Sequence, residues 1–213
     1  RVRLRLFLSS IWEEIRKLVR TRAKICGITS VRDARNAVLA GADAIGLNRY
    51  PSSARYVSVQ QAVDIVAVVP AFVTTVGLFV NANVVEVRSF LDKVQIDLLQ
   101  FHGDEDEAYC KQFDVPYMKV FKVSSGAELA SRVRHFPSSQ AILVDSMVQG
   151  QQGGTGMTFD WRGLPNLDQP LVLAGGLNKD NVSQAITTVQ PYAVDVCSGV
   201  ESEPGIKDSV KVK

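Results

Sequence analysis

The sequence predicts a small single-domain α/β protein, a (β/α)8 TIM barrel preceded by an extra N-terminal helix, and three observations carry that prediction. Short apolar runs alternate with helical patterns from Ala23 onward. The runs are continuously apolar rather than alternating, as parallel strands covered on both faces are. Eight such strand and helix units fit into about 190 residues, which suits a small closed barrel better than an open doubly wound sheet.

The elements follow in order. Residues 1–22 form a basic extension, and the rest of the chain, 23–213, is the barrel domain. Within the extension, Ser10 and Glu13 have capping-box spacing, and Ile11, Trp12, Ile15, Leu18 and Val19 share one helical stripe, so a short amphipathic helix is expected before the first strand. The strands are expected at 23–26, 44–47, 75–80, 98–102, 118–123, 141–145, 171–174 and 193–197. Helical patterns fill the intervals at 31–40, 58–69, 84–94, 104–113, 127–136 and 181–189. The helix after Asp160 reads as short. Little sequence follows the eighth strand, so a clipped last helix is expected, with the N-terminal helix available to cover the seam.

Composition narrows the function classes. The chain has 213 residues, 46% hydrophobic and 22% charged, ordinary values for one globular domain. No apolar run reaches the roughly 18–20 residues of a bilayer span, so no membrane partner is expected. Seven cations against two anions leave +5 in residues 1–22 and −3 in the remainder, within a net charge of +2. The barrel domain is therefore mildly acidic, and no nucleic-acid partner is expected. The three cysteines, Cys26, Cys110 and Cys197, have neither metal-ligand nor disulfide-framework spacing. A reducing, cytoplasmic compartment and no metal are expected, with an organellar location if the acid-free start is a leader remnant.

In a barrel of this type reactive side chains gather where strands end. Cys26 closes the first strand, Arg55 follows the second, Gln100 and His102 end the fourth, Asp145 the sixth and Asp195 the eighth. A thiol and a carboxyl group at one mouth can move protons in opposite directions, which an isomerase of sugar phosphates needs. Gly175-Gly176 and Ser198-Gly199 follow strands seven and eight, where such barrels build an anion site from backbone amides. The cluster from Gly150 to Gly156 has neither helical nor strand pattern and reads as a mobile lid.

These motifs carry a family resemblance. In order, Lys24-Ile25-Cys26-Gly27-Ile28-Thr29, Gly41-Ala42-Asp43-Ala44-Ile45-Gly46, Val76-Gly77-Leu78-Phe79-Val80-Asn81, the stretch 100–103, Gly153-Gly154-Thr155-Gly156, Phe159-Asp160-Trp161, the stretch 173–178 and Ser198-Gly199-Val200-Glu201 with Pro204-Gly205-Ile206-Lys207-Asp208 resemble phosphoribosylanthranilate isomerases of tryptophan biosynthesis. The resemblance implies an Amadori rearrangement of N-(5'-phosphoribosyl)anthranilate without a cofactor. It implies Asp145 as general acid, Cys26 as general base and Arg55 as partner of the anthranilate carboxylate. It further implies Asp195 at the ribose hydroxyls, Gln100 and His102 along the aromatic side, and Gly175, Gly176, Ser198 and Gly199 at the phosphate. The partner is thus a small sugar phosphate, and the chain is expected as a monomer or homodimer.

The chemistry sets two demands. A thiol near its free pKa is mostly protonated at neutral pH, so Cys26 needs neighbouring positive charge or dipoles. Asp145 must carry a proton when it meets substrate, which calls for burial, a neighbouring anion or the substrate's own carboxylate. Three departures stand out. Arg49-Tyr50-Pro51-Ser52-Ser53-Ala54-Arg55 replaces an aromatic pair followed by Lys-Ser-Pro-Arg, which is expected to loosen the loop aiming Arg55 and to put a charge where a ring belongs. Cys197 stands where serine is usual, and Phe101 where leucine is. Two alternatives are an aminoaldose isomerase of histidine biosynthesis, which works with paired aspartates, and a barrel surviving as a scaffold.

Overall fold

The computed structural model describes residues 20–122, 125–145 and 163–213. The expected N-terminal helix, the short helix after Asp160 and the lid at 150–156 lie outside the described residues. Eight parallel strands close into a barrel in chain order: β1 (Arg22–Cys26), β2 (Ala44–Asn48), β3 (Thr74–Phe79), β4 (Leu98–Phe101), β5 (Tyr117–Lys122), β6 (Ala141–Asp145), β7 (Leu171–Ala174) and β8 (Ala193–Val196). Each lies within two residues of its expected bounds.

The helices between them are α1 (Val31–Leu39), α2 (Val59–Val66), α3 (Val84–Leu91), α4 (Glu107–Cys110) running into a 3-10 turn at Lys111–Phe113, α5 (Gly126–Val133) and α6 (Val182–Val189). Most start on a side-chain cap. Ser30, Asn83, Asp106 and Ser125 each accept from a backbone amide in the first turn, and Ser58 forms a full capping box with Gln61. These caps satisfy amides that have no partner inside the helix.

Alternation along the strands sorts two cores. Val76, Met118, Val120, Leu143, Val172 and Ala174 fill the barrel interior. Ile25, Ile45, Leu47, Phe79, Leu99 and Phe101 belong to the larger core that includes the buried faces of α1, α2 and α3. Because Ile25 faces that outer layer, its neighbours Lys24 and Cys26 face inward. Likewise Gln100, between Leu99 and Phe101, faces inward and is only 1% exposed.

The chain end is more structured than the sequence reading allowed. After β8, residues Glu201–Glu203 and Ile206–Lys207 pair antiparallel as β9 and β10, followed by the single-turn helix α7 (Ser209–Val212). Asp208 caps α7 through the amides of Val210 and Lys211. Asp33 of α1, 1% exposed, accepts from the amide of Lys207 at 3.0 Å, so the hairpin is tied to the body of the barrel. The hairpin before α7 brings Glu201 and Lys207 to the barrel mouth.

Candidate active site

Two inward side chains of β1 set the centre. β1 and β8 run in register with Lys24 opposite Asp195, and Lys24 Nζ donates to both carboxylate oxygens of Asp195 at 2.9 Å. Both residues are less than a tenth exposed. Burial disfavours the charge on Lys24, yet Asp195 and Cys26 together hold its pKa above the ordinary value. Burial pushes Asp195 up to about 6 despite the ammonium beside it. We read the pair as ionised, because one cation serves two anionic neighbours and all its bonds are short.

Cys26 lies one turn of the pleat further along, on the same face as Lys24. A Cβ built on Gly46 of β2 would lie 2.8 Å from Cys26 Sγ and 3.1 Å from Lys24 Nζ, so both side chains sit over bare backbone. The Cys26 thiol is held well below its ordinary pKa. The largest cause is a hydrogen bond from the Cys197 thiol, followed by burial acting in the opposite sense, then by the charge and hydrogen bond of Lys24 and the charge of Lys207. Cys197 is pushed up in turn, and its Sγ lies 3.9 Å from Glu201 Oε1 as donor. The demand for positive charge near the Cys26 thiol is thus met by two lysines that the sequence did not single out.

Lys207 extends this network. Its Nζ donates to Cys197 O at 3.1 Å and to Glu201 Oε1 at 2.8 Å, and its side chain is fully buried. Glu201 also engages Arg55, accepting from Nε at 2.9 Å and Nη2 at 2.6 Å. Burial raises the Glu201 carboxyl, but Arg55 and Lys207 outweigh it and hold the group below the usual range. Arg55, expected to pair with the anthranilate carboxylate, gives two donors to Glu201. Nη1 has no acceptor among the described residues.

The loop behind Arg55 corrects the expectation of looseness. Asn48 Nδ2 donates to Ser53 Oγ at 3.0 Å, and Ser53 Oγ accepts from the Arg55 amide at 3.1 Å. The amide of Tyr50 donates to Asn48 Oδ1 at 2.8 Å. Asn48 and Ser53 thus shape the turn without the missing proline. Arg49 does not add a charge to the mouth either. It is 7% exposed, its guanidinium lies 4.9 Å from the Phe90 ring centroid and 4.8 Å from that of Tyr56, and Nη1 donates to Tyr56 OH and Val57 O. Its flat guanidinium takes the stacking place of a ring.

On the other side of the mouth, His102 Nε2 lies 3.6 Å from Asp145 Oδ2, each side chain about a fifth exposed. His102 is therefore a mouth residue rather than a core histidine. Gln100 Oε1 is buried without a hydrogen-bond partner among the described residues. Asp195, expected at ribose hydroxyls, is the buried counter-ion of Lys24, which stands opposite it in the β1–β8 register.

The loops after β7 and β8 meet. Asn178 and Gly199 form a parallel bridge, and a Cβ on Gly199 would lie 1.9 Å from the carbonyl oxygen of Leu177. Gly175 and Gly176 have φ of +93° and +65°, a conformation that costs glycine little. α6 begins at Asn181 without a side-chain cap on its amides. Gly175, Gly176, Ser198 and Gly199 thus line two touching turns beside a helix N-terminus, an arrangement suited to an anion. Gly199→Ala is expected to cost about 1–3 kcal/mol of stability, because backbone rather than a flexible side chain must yield; thermal unfolding checks this.

Comparisons with known proteins find similarity over most of the chain. The family model described as N-(5'phosphoribosyl)anthranilate (PRA) isomerase matches residues 23–213. The N-(5'-phosphoribosyl)anthranilate isomerase of Stutzerimonas stutzeri (strain A1501) is 54% identical over 193 residues, covering 90% of this chain and 93% of the relative. The crystal structure of phosphoribosyl anthranilate isomerase from Thermotoga maritima is 40% identical with a TM-score of 0.84, covering 91% of this chain and 96% of the other. A phosphoribosyl anthranilate isomerase crystallised with reduced 1-(o-carboxyphenylamino)-1-deoxyribulose 5-phosphate is 37% identical with a TM-score of 0.77, covering 91% and 95%.

Proposed function

The chain belongs to the N-(5'-phosphoribosyl)anthranilate isomerase family of tryptophan biosynthesis, and from that premise we propose that Cys26 is the general base and Asp145 the general acid of the isomerisation. Asp145, protonated, gives its proton to the ribose ring oxygen as the bond from that oxygen to the anomeric carbon breaks. The ring opens to a Schiff base, which acidifies the neighbouring carbon. The Cys26 thiolate takes the proton from that carbon and leaves an enolamine, which tautomerises to the ketone. One proton enters from Asp145 and one leaves to Cys26, so the composition of the substrate is unchanged and no cofactor is needed.

The observation that carries this reading is the thiol of Cys26 at the end of β1, within reach of two lysines and a donating thiol, on the same mouth as Asp145. Arg55 Nη1, backed by Glu201, would hold the anthranilate carboxylate, and Gln100 and His102 would line the aromatic side. The turns at Gly175-Gly176 and Ser198-Gly199 would hold the phosphate through backbone amides, as the ligand of the crystallised relative, itself a 5-phosphate, suggests. Asp195 acts through Lys24 rather than on the ribose. A thiol at position 26 disfavours the paired-aspartate chemistry of the histidine-pathway alternative. A barrel kept only as a scaffold has no need of a buried thiol beside two cations.

Alkylation tests the base directly. Because the thiol is held below its ordinary pKa, the pH dependence of its modification by iodoacetamide should lie at lower pH than that of a free thiol, whose midpoint is roughly 8.5. The reduced product analogue should protect it. A rate that keeps rising to about pH 9, as a free thiol does, or alkylation indifferent to the analogue, would remove Cys26 from this role.

A further inference from the structure

Cys197, the thiol that does most to hold the Cys26 pKa down, is itself oxidisable, and the fold holds the two thiols as neighbours. The register of β1 with β8 runs through Lys24 with Asp195 and Ile25 with Val196, so Cys26 and Cys197 are next in line. Adjacent strands lie about 4.8 Å apart, inside the roughly 4.4–6.8 Å between α-carbons that a disulfide spans. A Cβ on Gly27, the residue directly after Cys26, would lie 3.0 Å from Cys197 Sγ, so that sulfur leans toward the end of β1. The two cysteines are free, and Cys197 is the more exposed of them. Cations surround the pair: Lys24 beside Cys26, and Lys207 with Nζ 3.8 Å from Cys197 Sγ. A hydroxyl at position 197 would be as polar a neighbour of Cys26, whereas a thiol adds redox chemistry.

We propose that Cys26 and Cys197 form a peroxide-sensitive off switch, in which Cys26 is oxidised first and Cys197 resolves it as a disulfide. A hydroperoxide supplies the oxidising equivalents. The Cys26 thiolate attacks the terminal peroxide oxygen, the O–O bond breaks, and the leaving oxygen departs with a proton as water or an alcohol. Cys26 is now a sulfenic acid, oxidised by two electrons as the peroxide is reduced by two. The Cys197 sulfur then attacks the Cys26 sulfur, the S–O bond breaks, and hydroxide leaves with the Cys197 proton as water. Two thiols and one hydrogen peroxide give one disulfide and two waters, and a dithiol reverses the change. The disulfide removes the base and shields its sulfur from over-oxidation.

The loss of activity in this scheme rests on Cys26 being the base; the disulfide does not. The intact chain, Cys197→Ser and Cys110→Ala would be titrated with hydrogen peroxide and followed by activity and by non-reducing peptide mass spectrometry. Cys110 is fully buried on the outer side of the barrel and serves as the control. In the intact chain and in Cys110→Ala, a cross-linked peptide joining Cys26 to Cys197 should appear, lighter by two hydrogens, in step with activity loss that dithiothreitol reverses. In Cys197→Ser, each activity normalised to its own start, Cys26 should advance to the sulfinic acid and the loss should persist. Inactivation without the cross-link, or full recovery of Cys197→Ser in dithiothreitol, would overturn the switch while leaving the base in place. A quantitative cross-link with unchanged activity would overturn it by the other route, because Cys26 would then not be the base.

Discussion

Cys26→Ala is expected to lower kcat/KM about 1000-fold, a loss of about 4 kcal/mol of transition-state stabilisation, and Asp145→Asn is expected to do the same. The size follows from what each group supplies. A positioned acid or base contributes roughly 100 to 10,000-fold, and neither has a substitute of the same protonation state at the mouth. Lys24 and Lys207 are cations, Glu201 is committed to Arg55 and Lys207, and Asp195 is committed to Lys24. The neighbour that comes nearest is Cys197, and it sits on the wrong side of the hydrogen bond: its thiol is pushed up as that of Cys26 is held down. Cys26→Ser separates protonation from shape, since it keeps a heteroatom at the site but not the acidity, and it should fall nearly as far. The loss of substrate fluorescence under steady-state conditions measures all three. A Cys26→Ala enzyme with most of its activity would pass the base to another residue, and the same outcome for Asp145→Asn would reassign the acid.

The barrel was legible in the sequence because its strands are buried on both faces and so read as uninterrupted apolar runs. The mouth was legible to the extent that strand ends announce it: Cys26 and Asp145 close their strands as expected. What escaped were ion pairs made across long sequence separations. Arg55 and Glu201 are 146 residues apart, and no spacing rule joins them. Glu201 and Lys207 sit in a hairpin whose two strands total five residues, too short to leave a periodic trace. Arg49 misled for a different reason. A charged residue in a loop reads as solvated, and only the rings of Phe90 and Tyr56 reveal that it is buried. Lys24 was within reach of sequence reasoning. It stands two positions before Cys26 on one strand, hence on the same face, and the demand for positive charge near the thiol pointed to it.

Lys24→Met should cost about 3–5 kcal/mol of folding stability at neutral pH, the range for breaking a buried ion pair by removing one partner. Methionine nearly matches the volume, so the cost comes from charge rather than from a cavity. Asp195 would keep its burial and lose both of its short hydrogen bonds. With the lysine present its pKa already reaches about 6; without it the value must climb further, since the strongest influence lowering it is gone. The sign of the pH dependence follows. A carboxyl whose folded pKa exceeds its unfolded value favours folding most below the unfolded value, near 3.9, and that contribution is lost as pH rises through the folded value. The deficit of Lys24→Met relative to the parent should therefore be smaller at about pH 5 than at about pH 8, which denaturant melts at the two pH values can read. Adding Asp195→Leu to Lys24→Met should recover most of the stability, because no charge is then left buried. It should not recover the reactivity of Cys26, which loses one of its two neighbouring cations in either background, so alkylation of that thiol should shift to higher pH in both variants. Stability and thiolate formation, joined in one lysine, would thereby separate: the first depends on whether Asp195 has a partner, the second on whether the sulfur does.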